Sequence, residues 1–231
     1  MAAAGYKLGD VVELAVDPKL PFMGYTQPLG NRYRIVVSGG SLRSGMLEGL
    51  IVHELSHIYR METRHPSHDD AIVRAAFGDL AVRDEMPEFQ FTILRNLINN
   101  VQDLYADDLA IRVMMSSGAV SSERMARFVE EWVQASPSTS PDLRRMQWEN
   151  AWLVANNARA LAQLSRHHLK DLGGPALEKS RRLLGSLGLS AREDSEYFVE
   201  LLSGMPEAVA AEEFRRILVA YLSRFLRSAG G

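Results

Sequence analysis

The chain has 231 residues, 46% of them hydrophobic and 24% charged, with 17 Gly, 9 Pro and no Cys. That apolar share excludes a disordered chain, and Gly and Pro are too sparse for a low-complexity or collagenous one. The lack of cysteine excludes a disulfide scaffold, a thiolate nucleophile, a Cys-ligated metal and an iron–sulfur cluster. A net charge of −3, from 26 basic and 29 acidic residues, gives no reason to expect nucleic-acid binding. The first residues lack the basic start and apolar run of a signal peptide, and no stretch approaches the roughly 18 apolar residues of a membrane span. The expectation is a cytoplasmic protein that engages neither membrane nor nucleic acid.

Residues 12–16 (VELAV) alternate apolar and polar, and residues 32–37 (RYRIVV) place β-branched and aromatic side chains at period two, so both read as strands. The period then changes. Met46, Leu50, Ile51, Leu55 and Ile58 make a helical stripe through residues 41–60. Ser67 and Asp70 read as a capping box opening a helix to Val82, and Pro87 opens a long helix over residues 88–115. Beyond Ser116 the pattern is all helical: one helix capped by Ser121 or Ser122, one from Asp142 to about His168, and others from Ala176, Ser190 and about Pro206. Residues 136–141 (SPSTSP) are the strongest linker signal. The expected fold is α+β and predominantly helical, with a small N-terminal β-sheet and a helical C-terminal half. Residues 1–135 form the expected catalytic region and 136–231 a helical C-terminal region, possible as one compact body.

One segment carries chemistry. Residues 51–58 (IVHELSHI) contain H-E-x-x-H on an expected helix. Positions four apart lie one above the other, so His53 and His57 can offer imidazole nitrogens to one ion. Glu54 lies about 100° round the helix, able to hold a water without taking a coordination site. Zinc held by nitrogen and oxygen ligands lowers the pKa of such a water towards ~7, and a nearby carboxylate can take its proton. The apolar neighbours Leu50, Ile51, Val52 and Leu55 make a His–Glu pair costly there without a purpose.

A catalytic zinc needs a third protein ligand. The metzincin pattern would put Gly at position 60 and His at 63, where this chain has Arg60 and Thr63. His65 and His68 lie close by at a spacing that matches no ligand pattern. Asn99, Asp103 and Asp107 form a polar stripe at i, i+4, i+8 beside Val101, Leu104 and Ile111. That stripe is either a solvated acidic face or a set of groups with something to bind. In the second case Asp103 gives an oxygen to the metal, and Asp107 accepts the outward N–H of a ligating imidazole.

With these two segments the chain resembles the gluzincin side of the zincin metallopeptidases over about residues 30–116. In that group a helix bearing H-E-x-x-H is followed by one bearing E-x-x-x-D, often E-x-x-A-D. Residues 103–107 here read DLYAD, with Asp in the place of the ligating Glu, as in the Asp-liganded aspzincins. The resemblance implies a zinc-dependent hydrolase of peptide bonds, with His53, His57 and Asp103 on Zn²⁺, Glu54 as general base and Asp107 orienting a ligand histidine. It also implies a strand beside the active-site helix that pairs with extended substrate, for which residues 32–37 are the candidate. His167, His168, Tyr105, Tyr197 or an arginine could supply the oxyanion donor. The competing reading is a non-catalytic or latent zincin-fold module that holds metal and acts through a protein partner; hydrolysis of a non-peptide amide is a third. Trp148 and Trp152, four apart, read as packing residues, and Gly230-Gly231 as a frayed terminus.

Overall fold

A computed structural model of the protein describes residues 1–44, 46–80, 86–171 and 174–230. Three strands open it: β1 (Val11–Asp17), β2 (Gly24–Leu29) and β3 (Arg32–Ser38), in the order β1-β3-β2. β3 runs parallel to β1, pairing Val11 with Arg32, and antiparallel to β2, pairing Thr26 with Ile35. Gly30, at φ +63, opens the two-residue turn between β2 and β3, where glycine has no Cβ to oppose the left-handed conformation. β2 carries Pro28 and no clean alternation, so its sequence gives a weak strand signal. Pro28 is tolerated because β2 is an edge strand. The order corrects one expectation: residues 32–37 lie in the central strand, whose two edges are both paired.

Eight α-helices follow among the described residues: α1 (Leu47–Glu62), α2 (Asp70–Asp79), α3 (Glu88–Ser116), α4 (Ser122–Glu130), α5 (Leu143–Arg166), α6 (Pro175–Leu187), α7 (Leu189–Ser203) and α8 (Ala211–Ser228). The fold is α+β and predominantly helical, as the periodicity predicts. Side-chain oxygens of Asp69, Ser121 and Asp142 accept backbone N–H groups at the starts of α2, α4 and α5. Ser67 has a different part from the capping box expected of it: it is buried in a 3-10 turn, Pro66–His68, and bonds to two histidines. The expected end of α2 near Val82 and the terminal Gly231 fall outside the described residues.

α3, about 43 Å long at 1.5 Å per residue, is the axis of the molecule. Its Ile93, Leu94, Leu97, Val101, Leu104 and Tyr105 enter a core shared with Trp148 and Val154 of α5, Phe198 of α7 and Phe214, Tyr221 and Phe225 of α8. Residues before and after position 136 therefore bury one continuous apolar surface together. Trp148 sits in that core, edge-on to Phe89 and Phe225. A small cluster of Ile35, Val37 and Ile58 fastens the sheet to α1. No helix among the described residues is long and apolar enough to cross a membrane.

Candidate metal centre

α1 carries His53 and His57 on one face, and α3 packs against that face. The Nε2 atoms of the two imidazoles lie 3.0 Å apart. Asp103, from the middle of α3, brings Oδ1 to 3.4 Å from His57 Nε2 and 3.9 Å from His53 Nε2. A tetrahedral zinc with ligands at about 2.0–2.2 Å would separate its ligand atoms by about 3.3–3.6 Å. The three observed separations bracket that range, and two imidazoles with a carboxylate are a donor set that zinc accepts. Residue types, number and spacing therefore fit the ion.

The surroundings hold these groups in place. Asp107, one turn beyond Asp103, sets Oδ1 at 2.8 Å from His53 Nδ1. Its Oδ2 is buried and has no partner among the described residues. Arg159 of α5 donates from Nη1 to Asp103 Oδ2 at 2.7 Å and lies with its guanidinium 5.0 Å over the ring of Trp132. Burial opposes ionisation of Asp103, but the imidazole of His57 and the charge of Arg159 hold its carboxyl well below the usual range. Burial also works against a charge on His53. The carboxylate of Asp107, by its charge and its hydrogen bond, then Asp103 and Glu54, overcome it and push His53 up to about 9. The site attracts a positive charge, whether a proton or a metal cation.

Glu54 is buried at 5% exposure and turns from the histidine face towards the sheet, where Thr26 of β2 donates to its Oε2 at 2.8 Å. A cavity of about 390 Å³ is lined by His53, Asp103, Asp107 and Arg159 together with the apolar Leu50, Met114, Phe128 and Trp132. A larger open groove of about 940 Å³ beside Phe89, Ser138 and Trp152 contains none of these residues.

The structure thus gathers His53, His57, Asp103 and Asp107, with Glu54 adjoining. Asn99, the first member of the expected stripe, is exposed and takes no part. His65 and His68 contribute no atom to the ligand triangle. His68 stands behind His57, with Nε2 2.8 Å from His57 Nδ1, and burial beside two other histidines pushes it down to about 2. The four named oxyanion candidates are engaged elsewhere or exposed: Tyr105 packs against His65 and Phe214, His167 bonds Asp108, Tyr197 lies under Arg224, and His168 is on the surface. Sequence reasoning missed Thr26, because β2 has no clear period. It also missed Arg159, for which a signal exists: an arginine amid the buried alanines 155, 158, 160 and 162 of α5 has to meet an acid.

No curated protein and no solved structure matches the chain. One family profile does, over residues 11–219, from β1 into α8 and across every residue of this site. The chain belongs to that family, DUF5781, a family of unknown function.

Proposed function

We propose that the protein is a zinc-dependent metallopeptidase acting in the cytoplasm, of the gluzincin or aspzincin kind, with His53, His57 and Asp103 as metal ligands. The observation that carries the reading is the triangle of His53 Nε2, His57 Nε2 and Asp103 Oδ1, spaced for one tetrahedral ion, with His53 and Asp103 lining a cavity. A purely structural zinc is closed by four protein ligands, whereas a catalytic one keeps a position free. The cavity favours catalysis over a metal-holding module that acts only through a partner.

Zinc, when bound, supplies Lewis acidity that brings the pKa of water towards ~7. The rest is work for this chain's own side chains. Glu54 accepts a proton from the attacking water and returns it to the leaving amine. Thr26 fixes its Oε2, leaving Oε1 free of hydrogen bonds among the described residues. Asp107 holds the His53 ring by its Nδ1–H, and Arg159 holds Asp103 so that one carboxylate oxygen faces the histidines. β2, rather than the central β3, offers the unpaired edge beside Glu54 along which an extended peptide can add as a strand.

The test is Glu54→Gln, which keeps the shape and Thr26 as neighbour but cannot take a proton. Zinc content is expected to stay at one per chain while cleavage of a peptide library, followed by mass spectrometry, falls by about 10²–10⁴-fold. Equal cleavage by variant and wild type, or wild type purified with ample zinc and carrying none, overturns the proposal.

A further inference from the structure

Behind His57 runs a line of polar contacts that a two-ligand helix does not need. His57 Nδ1 lies 2.8 Å from His68 Nε2, His68 Nδ1 2.8 Å from Ser67 Oγ, Ser67 Oγ 2.7 Å from His65 Nδ1, and His65 Nε2 2.9 Å from the carbonyl oxygen of Glu207. Its far end rests on two backbone groups whose roles cannot reverse. The Glu207 carbonyl only accepts, so His65 carries its proton on Nε2. The backbone N–H of Ser67, 3.2 Å from His65 Nδ1, only donates, so that nitrogen is bare.

Every other proton in the line then follows. Ser67 donates its hydroxyl hydrogen to His65, so its oxygen accepts from Nδ1–H of His68. Among the described residues the side-chain partners of His68 are Ser67 and His57, with no carboxylate bonded to it to hold a second proton, so the ring that gives Nδ1–H to Ser67 presents a bare Nε2. That bare nitrogen takes Nδ1–H from His57, so Nε2, the atom that faces Asp103 and His53, is the nitrogen His57 has to offer a metal.

We infer that His68 is a positioning residue for His57: the relay His65–Ser67–His68, anchored on the Glu207 carbonyl, fixes His57 as the tautomer whose Nε2 faces the candidate metal centre. This rests on the proposed metal site for its purpose, though not for its proton pattern. It also gives the C-terminal helices a part in the site. Glu207 lies between α7 and α8, in a segment held by Arg166 Nη1 donating to Met205 O at 2.6 Å and by Arg112 Nη1 donating to Glu207 Oε2 at 2.7 Å.

The experiment pairs two readouts on the full chain. Nitrogen-15 NMR of the metal-free wild type is expected to find protons on Nε2 of His65, Nδ1 of His68 and Nδ1 of His57. Zinc affinity, by competition with a chromophoric chelator, is expected to fall about 10–100-fold in His68→Phe, which fills the space but accepts nothing. His68→Gln, whose amide can accept from His57 and donate to Ser67, is expected to return most of that loss. Ser67→Ala, which cuts the line one step back, should leave His68 in mixed tautomers with a smaller loss of affinity. Equal affinity in His68→Phe and wild type, failure of Gln to do better than Phe, or a proton on Nε2 of His68 overturns the relay. A wild type with the expected protons that binds no zinc removes the metal reading and leaves the relay standing.

Discussion

Replacing Asp103 by alanine separates the site's two debts to that carboxylate. As a ligand it is one of three protein donors. Four-ligand structural zinc sites bind with about 10–16 kcal/mol, or about 2.5–4 kcal/mol per ligand. Losing Asp103 should therefore cost about 10²–10³-fold in zinc affinity. As a counter-ion it is the carboxylate partner of Arg159, whose side chain is 11% exposed and whose Nε already lacks a hydrogen-bond partner among the described residues. Breaking a buried pair costs about 3–5 kcal/mol, and with Asp103 itself 29% exposed, water softens this to about 1–3 kcal/mol. Asp103→Ala should thus weaken zinc binding and also destabilise the metal-free fold. Asp103→Ala combined with Arg159→Met, which removes the stranded cation, should recover the folding stability and none of the zinc affinity. Chelator competition reads the first quantity and urea unfolding of metal-free protein the second. Zinc affinity in Asp103→Ala within about 3-fold of wild type, far short of the loss expected for one ligand, would refute Asp103 as a ligand.

Two further outcomes follow from the same geometry. A Cβ on Gly24 would stand 2.9 Å from the carbonyl oxygen of Val36 and 3.3 Å from Leu50 Cδ2, so Gly24→Ala should cost about 1–3 kcal/mol and push β2 off α1. Thermal unfolding checks the first, and a loss of peptide cleavage larger than the loss of zinc affinity checks that Thr26 has moved from Glu54. Burial opposes ionisation of Asp108, but hydrogen bonds from His167 and Arg166 lower its carboxyl below the ordinary 3.8. Its stability contribution is therefore full above pH 3.8 and is lost as the pH falls through the lower folded value. Asp108→Asn should lose about 3–5 kcal/mol at neutral pH and show a flatter decline in acid, measured by urea unfolding across that range.

How much of this was legible in the chain depends on how local each signal is. H-E-x-x-H declares its geometry because the helix that carries it also sets the distance between its histidines, and the Leu50, Leu55 and Ile58 stripe identifies the helix. Asp103 and Asp107, one turn apart on α3, were legible as candidates for a ligand and for the partner of a ligating imidazole, but not which histidine Asp107 meets, since that depends on how α3 lies against α1. The alternation in residues 32–37 identified a strand but not its place, because whether a strand is central or at the edge is settled by partners elsewhere in the chain. Ser67 looked like a cap from its spacing to Asp70. Its hydroxyl instead went to two histidines that a 3-10 turn brought within reach.

Fold class, the helix that presents two imidazoles and the acidic stripe opposite it can all be read along the chain, since each rests on the periodicity of neighbouring residues. What surrounds them comes from packing: Thr26 from an edge strand on Glu54, Arg159 from α5 on Asp103, and a line of polar contacts from the α7–α8 segment to His57. Those contacts join residues far apart in the chain. Their hydrogen bonds exist only once the burial of one shared apolar core has fixed α3, α5 and α8 against each other, so no local pattern could carry them.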